Sequence, residues 1–198
     1  MKKNCIIFLL SIIISVTMIS FGGILGNNGT MSALNTKQAQ ESSHYLRIHI
    51  RADSNENAAQ AVKYRVKERV VEYLTPLVAQ YPTKSAAMEG IGKRLQELEA
   101  IACNTLQAEG FSYGAKVRLT EEEFPTRVYG EYTLPAGEYS ALIITLGCGA
   151  GDNWWCVVYP PLCFAATDAN VIYKSKILEI IKEFQDDKEE RKRNEKVS

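Results

Sequence analysis

The fold of this chain is decided at residues 45–57, which read YLRIHIRADSNEN. Apolar and polar side chains alternate from residue 46 to residue 51, which is typical of a strand with one buried face. His49 is one of the polar residues, and the alternation predicts that it faces solvent. Residues 53–57 are rich in Asp, Ser and Asn, which cap helices and suit the positive end of a helix dipole. The segment therefore predicts a strand that leads directly into a helix.

Two long helices are predicted after this strand. The first covers about residues 55–80, where apolar residues recur at spacings of three and four and form one stripe. The second covers about residues 83–109, with Thr83 as its cap, although Gly90 and Gly92 weaken its first part. Two consecutive helices with a short link indicate an antiparallel pair that covers one face of a sheet.

Strand patterns dominate the second half of the chain. Four strands are predicted there, at residues 115–120, 126–132, 139–146 and 154–159. The third is almost wholly apolar, which indicates a central strand buried on both faces. The glycine-rich residues 147–151 are interpreted as a hairpin loop, because a strand pattern rather than a helix follows them. Together the elements predict an α+β domain of two layers, in which long helices pack on a mostly antiparallel sheet.

The N-terminal segment has the pattern of an export signal. Lys2 and Lys3 precede an apolar run at residues 5–21, and a small-x-small sequence closes the run at residues 20–22. The length of the run lies between that of a cleaved signal and that of a spanning helix. Residues 1–26 are therefore predicted to be a signal peptide or a membrane anchor, with the lysines inside and the rest of the chain across the membrane.

The rest of the chain divides into three parts. Residues 27–44 are rich in small and polar residues without an apolar period, so they are predicted to form a flexible linker. Residues 45–168 form the predicted α+β domain, and residues 169–198 form a C-terminal helix with a charged tail. Over 198 residues, 23 Lys and Arg residues balance 23 Asp and Glu residues. Nucleic acid is therefore not an expected partner, because its binding needs a basic excess.

Motifs that could carry catalysis are scarce in the domain. The sequence contains no zinc-protease His-Glu-x-x-His motif and no phosphate-binding P-loop. The acidic run Glu121, Glu122 and Glu123 is interpreted as a solvated strand edge, since three neighbours on a strand cannot all face one site. We predict no catalytic residue, no metal site and no cofactor.

Four of the five cysteines lie beyond the N-terminal segment, at Cys103, Cys148, Cys156 and Cys163. Outside the cytoplasm such cysteines suggest disulfides. A bridge between Cys156 and Cys163 is the simplest pairing, because these two are close in sequence. A bridge from Cys163 to Cys148, and buried free thiols, remain alternatives.

Both tryptophans of the chain lie within residues 153–164, which read NWWCVVYPPLCF. Neighbouring residues on a strand face opposite ways, so Trp154 and Trp155 are predicted on opposite faces of the sheet, one of them in the core. An exposed tryptophan beside the rigid Pro160-Pro161 pair is typical of a binding hot spot. These four residues are the predicted partner-binding set, and burial of both rings is the alternative.

Five stretches of the sequence carry a family resemblance. They are LRIHIRADS at residues 46–54, FPT at 124–126 with YG at 129–130, LPAGEY at 134–139, NWWC at 153–156 and PPLCF at 160–164. Their order and spacing resemble those of the stage II sporulation protein R family of spore-forming Firmicutes. The resemblance covers roughly residues 45–165, which is nearly the whole predicted domain.

The resemblance implies a role in signalling between cells. Members of this family are exported from the forespore into the space between the two sporulating cells. There they activate a membrane-embedded aspartic protease, which removes the pro-segment of the mother-cell sigma factor. The resemblance thus implies that this chain is a ligand of that protease, exported from the forespore or anchored in its membrane, and not an enzyme.

Two other functions stay open. One is a cell-envelope hydrolase that acts on the wall, and the other is a structural protein tethered to the envelope. A wall hydrolase of the glycosidase type needs two carboxylates at a set separation across a cleft, which a sequence does not reveal.

Overall fold

The computed structural model of this chain describes residues 42–130, 132–164 and 171–197. The predicted signal peptide or anchor, residues 1–26, lies outside these ranges, and so does nearly all of the predicted linker, residues 27–44. Among the helices of the described ranges, none combines the length and the hydropathy needed to cross a bilayer.

Four helices and six strands lie in the described part of the chain. In chain order they are β1 (Leu46–Arg51), α1 (Asn57–Val78), α2 (Lys84–Gly92), α3 (Leu95–Ala108), β2 (Ala115–Phe124), β3 (Arg127–Tyr129), β4 (Tyr132–Leu134), β5 (Gly137–Leu146), β6 (Asn153–Tyr159) and α4 (Val171–Val197). All of them belong to one structural unit, Glu41–Ser198. The strand that leads into a helix at residues 45–57 is confirmed, but the residue at the N-cap of α1 is Glu56, and its side chain makes no capping hydrogen bond.

Four strands form the central sheet, in the order β2-β5-β1-β6. Strand β5 is antiparallel to β2 and parallel to β1, and β1 is antiparallel to β6. Strand β5 is an inner strand, as its almost wholly apolar sequence predicts. Helices together with a mostly antiparallel sheet confirm the predicted α+β class.

One face of the sheet packs against the helices through aliphatic side chains, and we call this cluster the helix-side core. Its buried members include Leu46, Ile48 and Ile50 of β1, Leu142, Ile144 and Leu146 of β5, Val62, Val66, Val70 and Leu74 of α1, and Leu98, Ala102 and Leu106 of α3. Full burial of one such side chain contributes roughly 1.5–3 kcal/mol. The helix-side core therefore holds the helices on the sheet.

One continuous helix is predicted at residues 83–109, and this prediction is wrong. The structure has two helices there, α2 and α3. Thr83 caps α2 as predicted, since its Oγ1 accepts a hydrogen bond from the Ala86 N–H at 3.1 Å. Gly90, near the end of α2, has a low helix propensity. The ring of Tyr81 occupies the space that a Cβ at Gly90 would take. The glycine thus allows close packing and also weakens the helix.

The predicted strand at residues 126–132 is instead a hairpin of the two short strands β3 and β4. The chain reverses at Gly130, whose φ of 59° lies in the left-handed region that favours glycine. Tyr129 and Tyr132 pair across this hairpin and pack against the face of the sheet that lies opposite the helix-side core. The hairpin therefore helps to cover that second face.

The glycine-rich residues 147–151 join β5 to β6, but these strands are not neighbours, because β1 lies between them. The prediction of a hairpin loop is therefore wrong. The Cys148 N–H donates to Asp53 Oδ1 at 2.7 Å, and the Asp152 N–H donates to Asn55 Oδ1 at 2.7 Å. Side chains that precede α1 thus anchor this crossover connection.

Helix α4, which forms the predicted C-terminal helix, contacts both faces of the protein core. Ile177 and Ile180 are buried in the helix-side core. The ring of Phe184 contacts Tyr45 on the opposite face, with ring centroids 5.3 Å apart. The charged tail is part of this helix, which extends to Val197.

Candidate partner-binding surface

The face of the sheet opposite the helix-side core has a second buried cluster, which we call the aromatic core. Its buried members are Tyr45, Phe124, Leu134, Tyr139, Ala141, Ile143 and Val157. Strand β1 places Arg47 and His49 among these residues, and both are 0% exposed. The prediction that His49 faces solvent is therefore wrong. Alternation in β1 marks two faces of the strand, but the β3–β4 hairpin and the aromatic rings cover the second face too.

Arg47 is a buried cation held between aromatic rings. Its guanidinium carbon lies 4.1 Å from the centroid of the Phe124 ring and 4.7 Å from that of Tyr139. Its Nη2 donates a hydrogen bond to the Tyr129 hydroxyl at 3.0 Å. Its Nε and Nη1 are buried and have no acceptor among the described residues. Cation–π contacts offset part of the cost of burying this charge.

His49 lies beside Arg47 and is held as a neutral imidazole. Its ring meets Trp155 edge-on, with centroids 4.6 Å apart. Its Nε2 accepts a hydrogen bond from Arg51 Nε at 3.0 Å, so the single proton of the neutral ring lies on Nδ1. Burial, followed by the positive charges of Arg51, Arg118 and Arg47, lowers the pKa of His49 to about 3. At neutral pH the ring is therefore a poor proton acceptor.

Arg51 connects His49 to an acidic side chain of β2. Its Nη2 lies 2.6 Å from Glu122 Oε1, and the two side chains are 27% and 24% exposed. The neighbours of Glu122 in the acidic run, Glu121 and Glu123, are exposed on β2, which is an edge strand. This arrangement agrees with the predicted solvated strand edge.

The two tryptophans lie on opposite faces of the sheet, as their adjacent positions in β6 predict. Trp154 packs against the helix-side core and Trp155 against the aromatic core, and both are half-buried. The Trp155 ring also contacts Phe124, with centroids 4.9 Å apart, and the guanidinium carbon of Arg127 lies 5.7 Å from its centroid. Trp155 therefore joins the buried aromatic core to an exposed arginine.

Pro160 and Pro161, the other predicted partner-binding residues, are buried. The Leu162 N–H donates to the Pro160 carbonyl at 2.7 Å, and the Tyr159 hydroxyl donates to the Pro82 carbonyl at 2.7 Å. The prolines thus pack inside the protein, whereas both tryptophans keep part of their surface exposed. A partner-binding role for the four residues stays a prediction.

The structure brings the sulfur atoms of Cys156 and Cys163 into contact, with Cα atoms 6.3 Å apart. A disulfide spans Cα separations of this size, and the bridge stays a prediction for the exported protein. The remaining cysteines of the described ranges, Cys103 and Cys148, are not bonded to another cysteine. Cys103 Sγ accepts a hydrogen bond from the Ala115 N–H at 3.2 Å, whereas Cys148 is exposed.

One Gly-x-Ser-x-Gly spacing occurs in the chain, at residues 110–114, which read GFSYG. In a nucleophile elbow this motif follows a strand and begins a helix. Here it follows α3 and precedes β2, so the order of the two elements is reversed. Within the described ranges, no group of three His, Cys, Asp or Glu side chains could hold a metal ion.

Three arginines that the sequence analysis does not single out lie around His49 and Trp155. Arg51 donates to His49, and Arg127 lies beside the Trp155 ring. Arg118 is exposed on β2 and contributes to the low pKa of His49. The sequence does contain a signal for Arg51 and Arg118, because basic residues alternate with apolar residues on β1 and at the beginning of β2.

The family profile described as stage II sporulation protein R (spore_II_R) matches residues 42–169, more than half of the 198-residue chain. This chain belongs to the stage II sporulation protein R family. The resemblance seen in the sequence motifs is thereby confirmed, and the chain is a sporulation protein of that family. The matched residues include all four strands of the central sheet.

A relative in this family has been named in Bacillus subtilis (strain 168). The chain is 36% identical over 152 residues to its Stage II sporulation protein R. The aligned region covers 77% of this chain and 64% of the relative, which is a little under two thirds of the relative's length. No solved structure matches the chain.

Proposed function

We propose that this stage II sporulation protein R family member is an exported signalling protein that activates a membrane-embedded aspartic protease. The activated protease then processes the precursor of the mother-cell sigma factor. In this proposal the chain is a ligand and not an enzyme. It is exported from the forespore to the intermembrane space, or it is anchored in the forespore membrane by residues 1–26.

The observation that carries this proposal is the family match over residues 42–169. The match covers the central sheet and α1 to α3, so it concerns the folded unit and not the N-terminal segment alone. Export is supported by Lys2 and Lys3 followed by the apolar run at residues 5–21.

A binding role agrees with the chemistry of the aromatic core. The histidine there has a pKa of about 3 and its Nε2 already accepts a hydrogen bond from Arg51, so it is a poor general base at neutral pH. The nearby carboxylate of Glu122 is paired with the same arginine. A ligand shifts its receptor only by binding the active state more tightly, which requires a complementary surface and no catalytic group.

Among the four predicted partner-binding residues, Trp155 fits such a surface best. It is half-buried, so its ring is held in place, and it lies beside the exposed Arg127. Trp and Arg are the residues most enriched at binding hot spots. In this proposal Pro160 and Pro161 act by packing inside the protein and holding the end of β6 in position.

The test is processing of the sigma-factor precursor in vegetative cells that co-express the precursor and the membrane protease. We expect an immunoblot to show the shorter form only when the full chain is also expressed. A variant in which the apolar run is interrupted by charges, such as Ile12→Asp with Ile14→Asp, is expected to abolish export and processing together.

Equal processing with and without the chain would rule out the proposed activation. Release of soluble fragments from purified cell wall by the protein would then favour the envelope hydrolase. A deletion strain with normal sigma-factor processing and an altered envelope would favour the tethered structural protein.

A further inference from the structure

The exposed end of the aromatic core forms a positively charged surface. Arg118 of β2 and His49 of β1 both pair with Ile143 of β5, and His49 also pairs with Trp155 of β6. These residues therefore form one row across the sheet. Arg51 folds back onto His49 from the next row, and the β3–β4 hairpin adds Arg127 beside Trp155. We call Arg51, Arg118, Arg127 and Trp155 the arginine–tryptophan surface.

Positive charge exceeds negative charge on this surface. Glu122 pairs with Arg51, whereas Arg118 and Arg127 form no ion pair within the part of the chain that the structure describes. Arg47 adds a fourth guanidinium beneath the surface and likewise has no carboxylate partner there. The surface thus carries a local excess of positive charge, although the 23 basic and 23 acidic residues of the whole chain balance.

Buried polar atoms below the surface also lack partners. Arg47 Nε, Arg47 Nη1 and His49 Nδ1 are buried N–H donors with no acceptor among the described residues, and both side chains are 0% exposed. Asn153, which pairs with Arg51 across the strands, has a buried Oδ1 without a donor. Native proteins leave few such groups, and each one needs an explanation. His49 and Asn153 lie in the same rows of the sheet as Trp155 and Arg51, and Arg47 lies on the same face of β1, two residues before His49.

We propose that the arginine–tryptophan surface binds an acidic, extended segment of a partner protein. Guanidinium groups bind carboxylates with two parallel hydrogen bonds, and Arg118 and Arg127 are exposed and able to do so. Trp155 supplies an aromatic contact beside Arg127. The inference rests on the proposed function, because the partner is taken to be the membrane protease.

A protein segment fits this surface better than an anionic lipid bilayer does. Membrane-surface binding by charge depends on a dense cluster of basic residues, and here the acidic Glu122 lies among the arginines. Trp155 is half-buried in the sheet and contacts His49 and Phe124, so its ring is not free to insert into a bilayer. Arg118 and Trp155 lie in one row on β2 and β6, which are three strand spacings or roughly 14 Å apart, so a single segment that contacts both must be extended.

The first test reverses the charge of the surface in the full chain. The double variant Arg118→Glu with Arg127→Glu is compared with the wild-type chain in cells that co-express the precursor and the protease. We expect at least a tenfold loss of processed precursor, because like charges across an interface slow association and weaken binding. Both residues are exposed, so export and the urea midpoint of unfolding are expected to stay unchanged.

The matched control is Arg65→Glu with Arg69→Glu on the outer side of α1. These residues are 64% and 66% exposed, and the double variant makes the same change in net charge. It is expected to process the precursor as the wild-type chain does. The neutral variant Arg118→Gln with Arg127→Gln is expected to fall between the wild-type chain and the charge-reversal variant.

The outcomes separate this inference from the function on which it rests. If the wild-type chain does not increase processing, the proposed function fails. If the wild-type chain activates and Arg118→Glu with Arg127→Glu activates equally well, the proposed function stands and the docking surface is overturned.

A second test locates the contact directly. A photo-cross-linking amino acid is placed at Thr120, which is exposed on the same face of β2 as Arg118, and at Arg65 as the control. We expect a cross-link to the protease from position 120 and none from position 65. A cross-link from position 120 to phospholipid or to a second copy of the chain, without one to the protease, would overturn the proposal.

Discussion

The face of the sheet that packs on the helices is aliphatic, whereas the opposite face is aromatic and surrounds a buried arginine and a buried histidine. On the helix side, Ile48 and Ile50 meet other aliphatic residues and have no polar atom to satisfy. On the other side, Arg47 and His49 of the same strand are equally buried, yet three of their nitrogen atoms lack a described acceptor. We infer that the first face supplies most of the stability, because burial of unpaired polar groups on the second face costs free energy.

The largest expected effect comes from a cavity on the aliphatic face. We expect Ile48→Ala to lower the free energy of unfolding by about 3 kcal/mol, because truncation of a fully buried side chain loses its contacts and leaves a void. Ile48 is 0% exposed. The measurement is urea denaturation, with Arg118→Ala as the control for an exposed residue of the other face. Equal losses for the two variants would contradict the expectation that burial of Ile48 in the helix-side core stabilises the fold.

The next effect concerns the cysteine pair on the helix side. Cys156 is buried in the helix-side core and Cys163 packs against that core, seven residues further along the chain. We expect reduction of the exported protein to lower the free energy of unfolding by about 2.5 kcal/mol, the loop-closure value for so short a loop. Peptide mapping without reductant should show the two cysteines linked. Recovery of both as free thiols would show that the predicted bridge is wrong.

A pH effect tests the aromatic face. The pKa of His49 is about 3 in the folded chain and 6.5 as its ordinary value, so the unfolded chain binds the extra proton first as the pH falls. The neutral ring therefore makes its full contribution to the free energy of unfolding above pH 6.5. That contribution is lost as the pH falls from 6.5 to about 3. The loss is about 1.4 kcal/mol per pH unit, or about 2 kcal/mol at pH 5. His49→Gln is expected to remove this part of the pH dependence, and an unchanged slope would show that His49 is not the group responsible.

The smallest expected effect has the opposite sign. Arg47→Met keeps a long side chain between Phe124 and Tyr139 but removes a buried charge with unpaired donors. Replacing such a charge by an apolar group of similar volume is often neutral or stabilising. We expect the free energy of unfolding to rise by about 1 kcal/mol in urea denaturation. A decrease of similar size would mean that the cation–π contacts outweigh the cost of burial.

Several parts of the fold could be predicted because they depend on nearby residues. The alternation at residues 46–51 and the stripe of α1 follow from the geometry of strands and helices. Thr83 caps α2 through a bond to a residue only three positions away. The family could also be predicted, because its motifs are short, separate and in a fixed order over residues 45–165.

Other parts could not be predicted, because they depend on which segments meet in space. The loop at residues 147–151 has the composition of a hairpin loop, yet β1 pairs with both β5 and β6 and separates them. His49 has the pattern of a solvent-facing residue, yet Phe124 and Trp155 cover it. Alternation shows that a strand has two faces and does not show whether one or both are covered.

The sequence by itself determined the α+β class, the cap of α2, the opposite faces of Trp154 and Trp155 and the membership in the family. The cap and the opposite faces depend on residues close together in the chain, where covalent geometry and local hydrogen bonds set the result. The class and the family depend on the order of several local patterns along the chain. The tertiary structure alone decided that Arg51, Arg118 and Arg127 gather around His49 and Trp155. Those residues come from four strands, and the pairing of strands brings together residues that are more than a hundred positions apart.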